Sequence, residues 1–197
     1  MKIEFRRNLP HIYAQDAIYS ITFRLAGTIP YNIFQEYSEL KRDLLKNGKV
    51  HLLKNLYNEH IDSYLDSSCA MNDWLMNVRI RDEVVSAINY YHLVHYKIID
   101  YCMMPNHVHL IINTFGFDPI PLGNFLGSIK RHSARKANKI LGRLGKFWPG
   151  ESYDHLIRSR NELAETIDYV IHNPVKAVFV RNWEDWDGTY LNEKYLG

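Results

Sequence analysis

Tyr96-Lys97-Ile98-Ile99-Asp100-Tyr101-Cys102-Met103, then Met104-Pro105-Asn106, then His107-Val108-His109-Leu110-Ile111-Ile112-Asn113, is the stretch that decides the fold. Two runs rich in β-branched and aromatic residues flank a Pro-Asn pair, which is turn chemistry, so the stretch predicts a β-hairpin. Side chains alternate along a strand, which puts His107 and His109 on one face and Val108, Leu110 and Ile112 into a core on the other. Two imidazoles on one face, about 7 Å apart at Cα, can close on one divalent ion. A pair of incidental surface histidines, in a chain that has ten, would give the same pattern.

Working outward, Ala17 to Leu25 reads as a strand closed by Gly27 and Pro30, and a Leu-spaced helix is expected from about Tyr31 to Lys46, stopped by Asn47-Gly48. Residues 50–77 look helical in pieces, and Ile80 to Leu93 carries Val84, Ala87, Ile88 and Tyr91 at helical spacing. Beyond the hairpin, Leu122 to Leu141 shows an apolar helical face, while Arg131, Arg135 and Lys139, four apart, line another. A short strand at about His155 to Arg158 and a helix from Arg160 to about His172 follow, the helix ended by Asn173-Pro174. This order predicts an α+β fold, an antiparallel sheet with helices on one face and an extra helix at the end. With no repeat or linker, one domain is expected over 1–197, its core at about 9–180 and a C-terminal tail at 181–197.

The 197 residues, 46% hydrophobic and 13% aromatic, suffice for one well-packed domain. The opening residues lack the apolar run of a leader and no stretch of about twenty apolar residues occurs, so a soluble, cytoplasmic protein without membrane partners is expected. Cys69 and Cys102 have neither the number nor the spacing of a disulfide framework or zinc knuckle, and read as buried thiols. Net charge is only +2, yet from Leu122 to Arg160 nine basic residues face two acidic ones, leaving that segment at +7 and the remainder at −5. Such asymmetry points to an anionic polymer, although a solvated helix face would look alike.

A second motif is Glu165-Thr166-Ile167-Asp168-Tyr169-Val170-Ile171-His172-Asn173-Pro174-Val175-Lys176. Tyr169 and Asn173, four apart, share one side of a helix. If that side meets the histidines, Asn173 offers an amide oxygen as third ligand and Tyr169 a phenol beside the ion. Taken singly, Tyr169 reads equally as a core residue and Asn173 as a helix-end cap.

Met104-Pro105-Asn106-His107-Val108-His109-Leu110-Ile111, followed by Tyr169-Val170-Ile171-His172-Asn173-Pro174-Val175-Lys176-Ala177, resembles the REP-associated tyrosine transposases within the single-tyrosine HUH transposase family. Leu9-Pro10-His11, Ile21-Thr22-Phe23-Arg24-Leu25-Ala26-Gly27 and Phe147-Trp148 through Arg158 match the same family in the same order, from about Leu9 to Val180. The resemblance implies a ferredoxin-like antiparallel sheet with helices and a C-terminal helix bearing the nucleophile. It makes Tyr169 that nucleophile, His107 and His109 catalytic metal ligands, and Asn173 the third ligand. Two departures stand out: Ala177-Val178-Phe179-Val180 replaces the usual Ala-Gly-Leu-Val, and the tail Trp186-Asp187-Gly188-Thr189-Tyr190 lacks a Pro-Trp-Ser-Ser.

The implied activity is that of a transposase or single-strand endonuclease, cleaving and rejoining single-stranded or hairpin DNA through a 5′-phosphotyrosine link. A phenol of pKa about 10 is a poor nucleophile and needs an electrophile beside it. Three neutral donors leave an ion, Mg²⁺ or Mn²⁺ in use, its full charge and open positions for phosphate oxygens. Lys130, Arg131, Arg135 and Lys139 are expected on the DNA phosphates, and Phe147 and Trp148 either stack on bases or belong to the core. His155 has no assigned role, and homodimer and monomer are both compatible with the sequence. A silent binder of repeated DNA hairpins and a His-x-His metal-dependent hydrolase are the competing classes.

Overall fold

The computed structural model describes residues 2–6, 9–13, 16–67 and 72–195, so Cys69 lies outside the described residues, as do the side chains of the Leu9-Pro10-His11 motif. Strand β1 (Lys2–Arg6) pairs antiparallel with β2 (Leu9–Tyr13) in a two-stranded ribbon. The main sheet starts with β3 (Ile18–Arg24), followed by α1 (Tyr31–Lys46), which stops just before Gly48 at φ +69°, a conformation that suits a residue without Cβ. An irregular helical rod comes next, made of α2 (Leu53–Tyr57), a π-helical turn (Asn58–Asp62) and α3 (Ser63–Ser67). Helix α4 (Val78–Asn89) leads into the hairpin of β4 (Lys97–Met103) and β5 (His107–Asn113). Then follow α5 (Leu122–Ile140), β6 (Tyr153–Ile157), α6 (Arg160–Ile171), the one-turn α7 (Asn173–Lys176) and β7 (Thr189–Leu191).

The strands lie in the order β6-β3-β5-β4-β7, every neighbour antiparallel. Apart from β7 this is the ferredoxin-like arrangement: the crossovers from β3 to β4 and from β5 to β6 carry α4 and α5 over one face. There Phe23, Val108, Leu110 and Ile112 meet Val84, Ile88, Phe125 and Ile129. The final helix does not join them. Ile167, Val170 and Ile171 of α6 bury against Ile99, Ile111 and Ile157 on the opposite face. Burial of each such side chain contributes about 1.5–3 kcal/mol, which fixes α6 over the face that carries the histidines. A third cluster, Ile29, Tyr37, Tyr57, Ile61 and Leu65, ties α1 to the irregular rod, and Tyr57 stacks at 3.8 Å on Tyr153 of β6.

The segment beyond Val180 packs onto the same sheet. Strand β7 extends it alongside β4, and Trp186 is buried with Nε1 donating to the Met103 carbonyl at 2.9 Å. Gly188 is required here, because an added Cβ would sit 2.5 Å from the same carbonyl oxygen. No helix among the described residues is long and apolar enough to cross a membrane.

Asp100 is an anomaly in this core. A bulge at Ile99 turns it inward, it is fully buried, and neither carboxylate oxygen has a hydrogen-bond partner among the described residues. Burial pushes its pKa up to about 8. The folded state therefore keeps a proton that the unfolded chain releases near pH 4, and stability falls as pH rises from there to about 8. Asp100→Asn removes the titration, so its melting temperature should exceed that of the parent by an amount that grows from pH 5 to pH 8. The gap corresponds to on the order of 4 kcal/mol at neutral pH. A gap that thermal melts show to be independent of pH would mean that Asp100 is already ionised in the fold.

Candidate metal centre

The histidine pair is set by β5 and its neighbours. His107 lies opposite Arg24 and His109 opposite Thr22 and Cys102 in the strand register, and both imidazoles are buried. Asn106 donates from Nδ2 to the Leu65 carbonyl at 3.0 Å, which turns its Oδ1 toward Nδ1 of His107 at 2.6 Å. A carbonyl oxygen only accepts, so the His107 proton resides on Nδ1 and Nε2 presents a lone pair. Nδ1 of His109 meets the Thr22 hydroxyl at 3.0 Å, leaving its Nε2 also turned inward, 2.9 Å from Nε2 of His107. Burial lowers both pKa values, that of His107 well below the usual range with His109 adding to the effect, and that of His109 to about 4. Both rings are thus neutral, the form that ligates metals.

Helix α6 begins at Ser159, whose hydroxyl accepts from Glu162 N at 3.1 Å, while Glu162 accepts from Arg158 N at 2.8 Å and meets His155 at 2.6 Å. These contacts fix the helix start against β6 and occupy His155 two register rows away from His109. Two turns on, Tyr169 brings its ring within 6.0 Å of His109, edge to face. One turn further, Nδ2 of Asn173 reaches Nε2 of His109 at 2.9 Å, and Asn173 Oδ1 is buried without a partner among the described residues. A half-turn of the amide exchanges the two atoms and offers the oxygen to the same point. The expected constellation of Tyr169, Asn173, His107 and His109 is assembled within one chain.

The irregular rod adds two residues that sequence reasoning missed, Asp62 and Asp66. Oδ1 of Asp62 lies 3.9 Å from Nε2 of His109 and Oδ1 of Asp66 lies 3.7 Å from Nε2 of His107. Neither oxygen has a hydrogen-bond partner among the described residues. The second oxygens are held by α6 and α7: Tyr169 donates its hydroxyl to Asp62 Oδ2 at 2.8 Å, and Lys176 Nζ reaches Asp66 Oδ2 at 3.3 Å. Burial pushes the Asp62 pKa up to about 7, and burial together with Asp62 raises that of Asp66. Burial and the Asp62 carboxylate drive the Tyr169 pKa well above its usual value.

These groups fit a divalent cation. Ligand atoms of Asp62, His107 and His109 all lie within 4.8 Å of one another. Oδ1 of Asp62, of Asp66 and of Asn173 are each buried beside the two imidazoles without a hydrogen-bond partner among the described residues, an arrangement that a positive charge relieves. The sequence predicts three neutral donors, His107, His109 and Asn173, and in the fold two carboxylates also face the site.

No protein-family model matches the chain. A Haemophilus influenzae protein named "Putative REP-associated tyrosine transposase" is 26% identical over 103 residues, 46% of this chain and 56% of that protein. The chain resembles the REP-associated tyrosine transposases. It spans about half the length of that curated relative. The solved structure of a REP-associated tyrosine transposase bound to a REP hairpin superimposes over 94% of this chain and 81% of that one, with a TM-score of 0.54 and 17% identity, a likeness of fold.

The residues expected to contact DNA separate into two groups. Arg131, Arg135 and Lys139 are exposed along α5. Lys130 is turned inward, its Nζ held by the Glu151 carbonyl at 2.9 Å and the Pro149 carbonyl at 3.3 Å, with 9% of the residue exposed. Trp148 is 6% exposed, donates Nε1 to Ser133 at 2.9 Å and packs against Phe23 and Phe147. As placed, Lys130 reaches no phosphate and Trp148 no base. The basic row lies over the α4/α5 face, across the sheet from the histidines.

Proposed function

We propose that the chain is a DNA strand transferase that cleaves single-stranded or hairpin DNA with Tyr169 and retains the strand as a 5′-phosphotyrosine. The observation that carries this reading is the shared carboxylate of Asp62, bonded to the Tyr169 hydroxyl at 2.8 Å while facing His109 at 3.9 Å, so that phenol and imidazoles share one enclosed site. In the reaction the bond between phosphorus and the 3′ oxygen breaks, a bond from the tyrosine oxygen to phosphorus forms, and the phenol proton ends on the departing 3′ oxygen. The new link stores the phosphodiester, and a second 3′-OH can reverse the step and join strands. A divalent ion held by His107, His109 and Asn173, Mg²⁺ or Mn²⁺ by the mixed N/O donor set, would polarise the scissile phosphodiester. Lys176, with its Nζ 5.2 Å from the centre of the Tyr169 ring, supplies a cation for the phosphate beside the nucleophile.

The test is incubation with labelled single-stranded hairpins and a divalent ion, then denaturing electrophoresis and mass spectrometry of the digest. The expected result is an adduct on the peptide from Ile167 to Lys176. Free cleaved strand without adduct would instead support a hydrolase, and binding without either product a silent hairpin binder.

The basic row gives a separate expectation. With Lys130 turned inward, recognition of the DNA backbone rests on Arg131, Arg135 and Lys139. Arg131→Glu with Arg135→Glu should flatten the dependence of DNA affinity on salt, by about one unit of log–log slope for each phosphate no longer neutralised. A slope unaltered in fluorescence-anisotropy titrations at several salt concentrations would place the DNA on another surface.

A further inference from the structure

The site is enclosed. His107, His109 and Asn173 are at most 2% exposed, so no phosphate oxygen of DNA reaches them in this arrangement. What covers them is the rod of residues 53–67, and it does so with acid groups. Asp62 ends the π-helical turn and Asp66 lies four residues on in α3, which brings both side chains to one side of the rod. Each splits its carboxylate in the same way, one oxygen held by Tyr169 of α6 or Lys176 of α7, the other directed at an imidazole Nε2. Lys54, at the other end of the rod, grips α6 through Glu162 at 3.6 Å and Thr166 at 3.4 Å.

We propose, resting on the strand-transfer reading, that Asp62 and Asp66 form an acidic cap that completes the cation's ligand set in the DNA-free protein and gives way to the phosphate of the incoming strand. The chemistry of the exchange is matched, since a phosphodiester brings the anionic oxygens that the two carboxylates withdraw. One displacement of the rod has three effects. It opens coordination positions, it releases the Tyr169 hydroxyl from Asp62, and it frees Lys176 from Asp66 to face the phosphate. In the resting state the nucleophile is held by the same group that closes the site. Cleavage without a correctly seated strand is thereby suppressed.

The test uses Co²⁺ as the probe in the DNA-free full chain, followed by calorimetry and by its visible absorption. Asp62→Asn and Asp66→Asn keep side-chain shape and remove the anionic ligand. Each should weaken Co²⁺ binding by about tenfold or more, in line with changes at or near metal ligands, and alter the absorption envelope. The unmodified protein carries a second measurement that needs no variant: adding a single-stranded DNA hairpin should change its Co²⁺ spectrum as oxygen ligands exchange. Unchanged affinity in both variants, alongside loss of Co²⁺ in His109→Ala, would overturn the cap and leave strand transfer standing. A spectrum indifferent to a hairpin that demonstrably binds would overturn the exchange. Failure of strand transfer itself is read elsewhere, in the absence of an adduct at Tyr169.

Discussion

Tyr169→Phe should give a protein that folds, binds divalent ions and binds the hairpin, and forms no covalent adduct. The variant removes one oxygen. The ring keeps its edge-to-face contact with His109 and its place beside Ile167 and Val170 on α6. What disappears is the hydrogen bond to Asp62, whose pKa already lies near 7, so the carboxyl can take a proton and the melting temperature should move by a few degrees at most. Cleavage should fall by about 10⁴-fold or more, the scale on which deleting a nucleophile acts. Adduct formation on denaturing gels, with a thermal melt beside it, decides the matter. Were the variant still to form an adduct, another tyrosine would have to carry it, and Tyr153 and Tyr190 are poorly placed for that. Tyr153 is stacked on Tyr57 and Tyr190 is stacked on Tyr101 at the β7 edge, each committed to a neighbour rather than to the histidines.

His109→Ala should abolish divalent-ion binding and, with it, all strand cleavage. His109 is the hub of the site, within 2.9 Å of both His107 and Asn173 and 3.0 Å of Thr22. Its removal takes away one of the two imidazoles and the group against which Asn173 is oriented. Titration calorimetry with Mn²⁺ should show affinity reduced by a factor of about 100 or more, beyond the loss typical of second-sphere changes. A parallel melt is needed because truncating a buried side chain leaves a cavity. A folded variant that binds Mn²⁺ as the parent does would remove the ion from this site.

The parts of this molecule legible in its sequence are those written in local periodicity. The hairpin around Pro105, the helix from Tyr31 to Lys46 and the one from Leu122 to Ile140 carry repeated apolar spacing over many residues, and the structure places them within a residue or two. The face of the sheet that α6 covers is not legible, because a helix's apolar stripe says that it packs and not where. Asp62 and Asp66 escape for a related reason. They lie in a stretch that changes from α to π and back, with no stable period, and their partner Tyr169 is 107 residues from Asp62 along the chain. Lys130 allows a different reading, since Leu126, Ser133 and Ala137 place it on the buried stripe, one residue out of step with Arg131, Arg135 and Lys139. Val178 stands where the resembling family usually has glycine, and the reason for glycine is visible: its φ is +62°, costly for a β-branched side chain. Nothing in its surroundings explains the substitution, as the side chain is largely exposed.

Strand β5 serves two faces at once. Val108, Leu110 and Ile112 belong to the packing against α4 and α5, and His107, His109 and Ile111 to the side of α6 and the acid-bearing rod. Its alternate residues therefore meet different physical demands although they adjoin in sequence. The inner set is held by volume and shape, and the outer set by the identity of a few atoms. A lineage could lose or retune the chemistry through single codons without disturbing the sheet, and could repack the core without touching the chemistry. The requirements of the fold and those of the candidate site are, in this strand, physically separable.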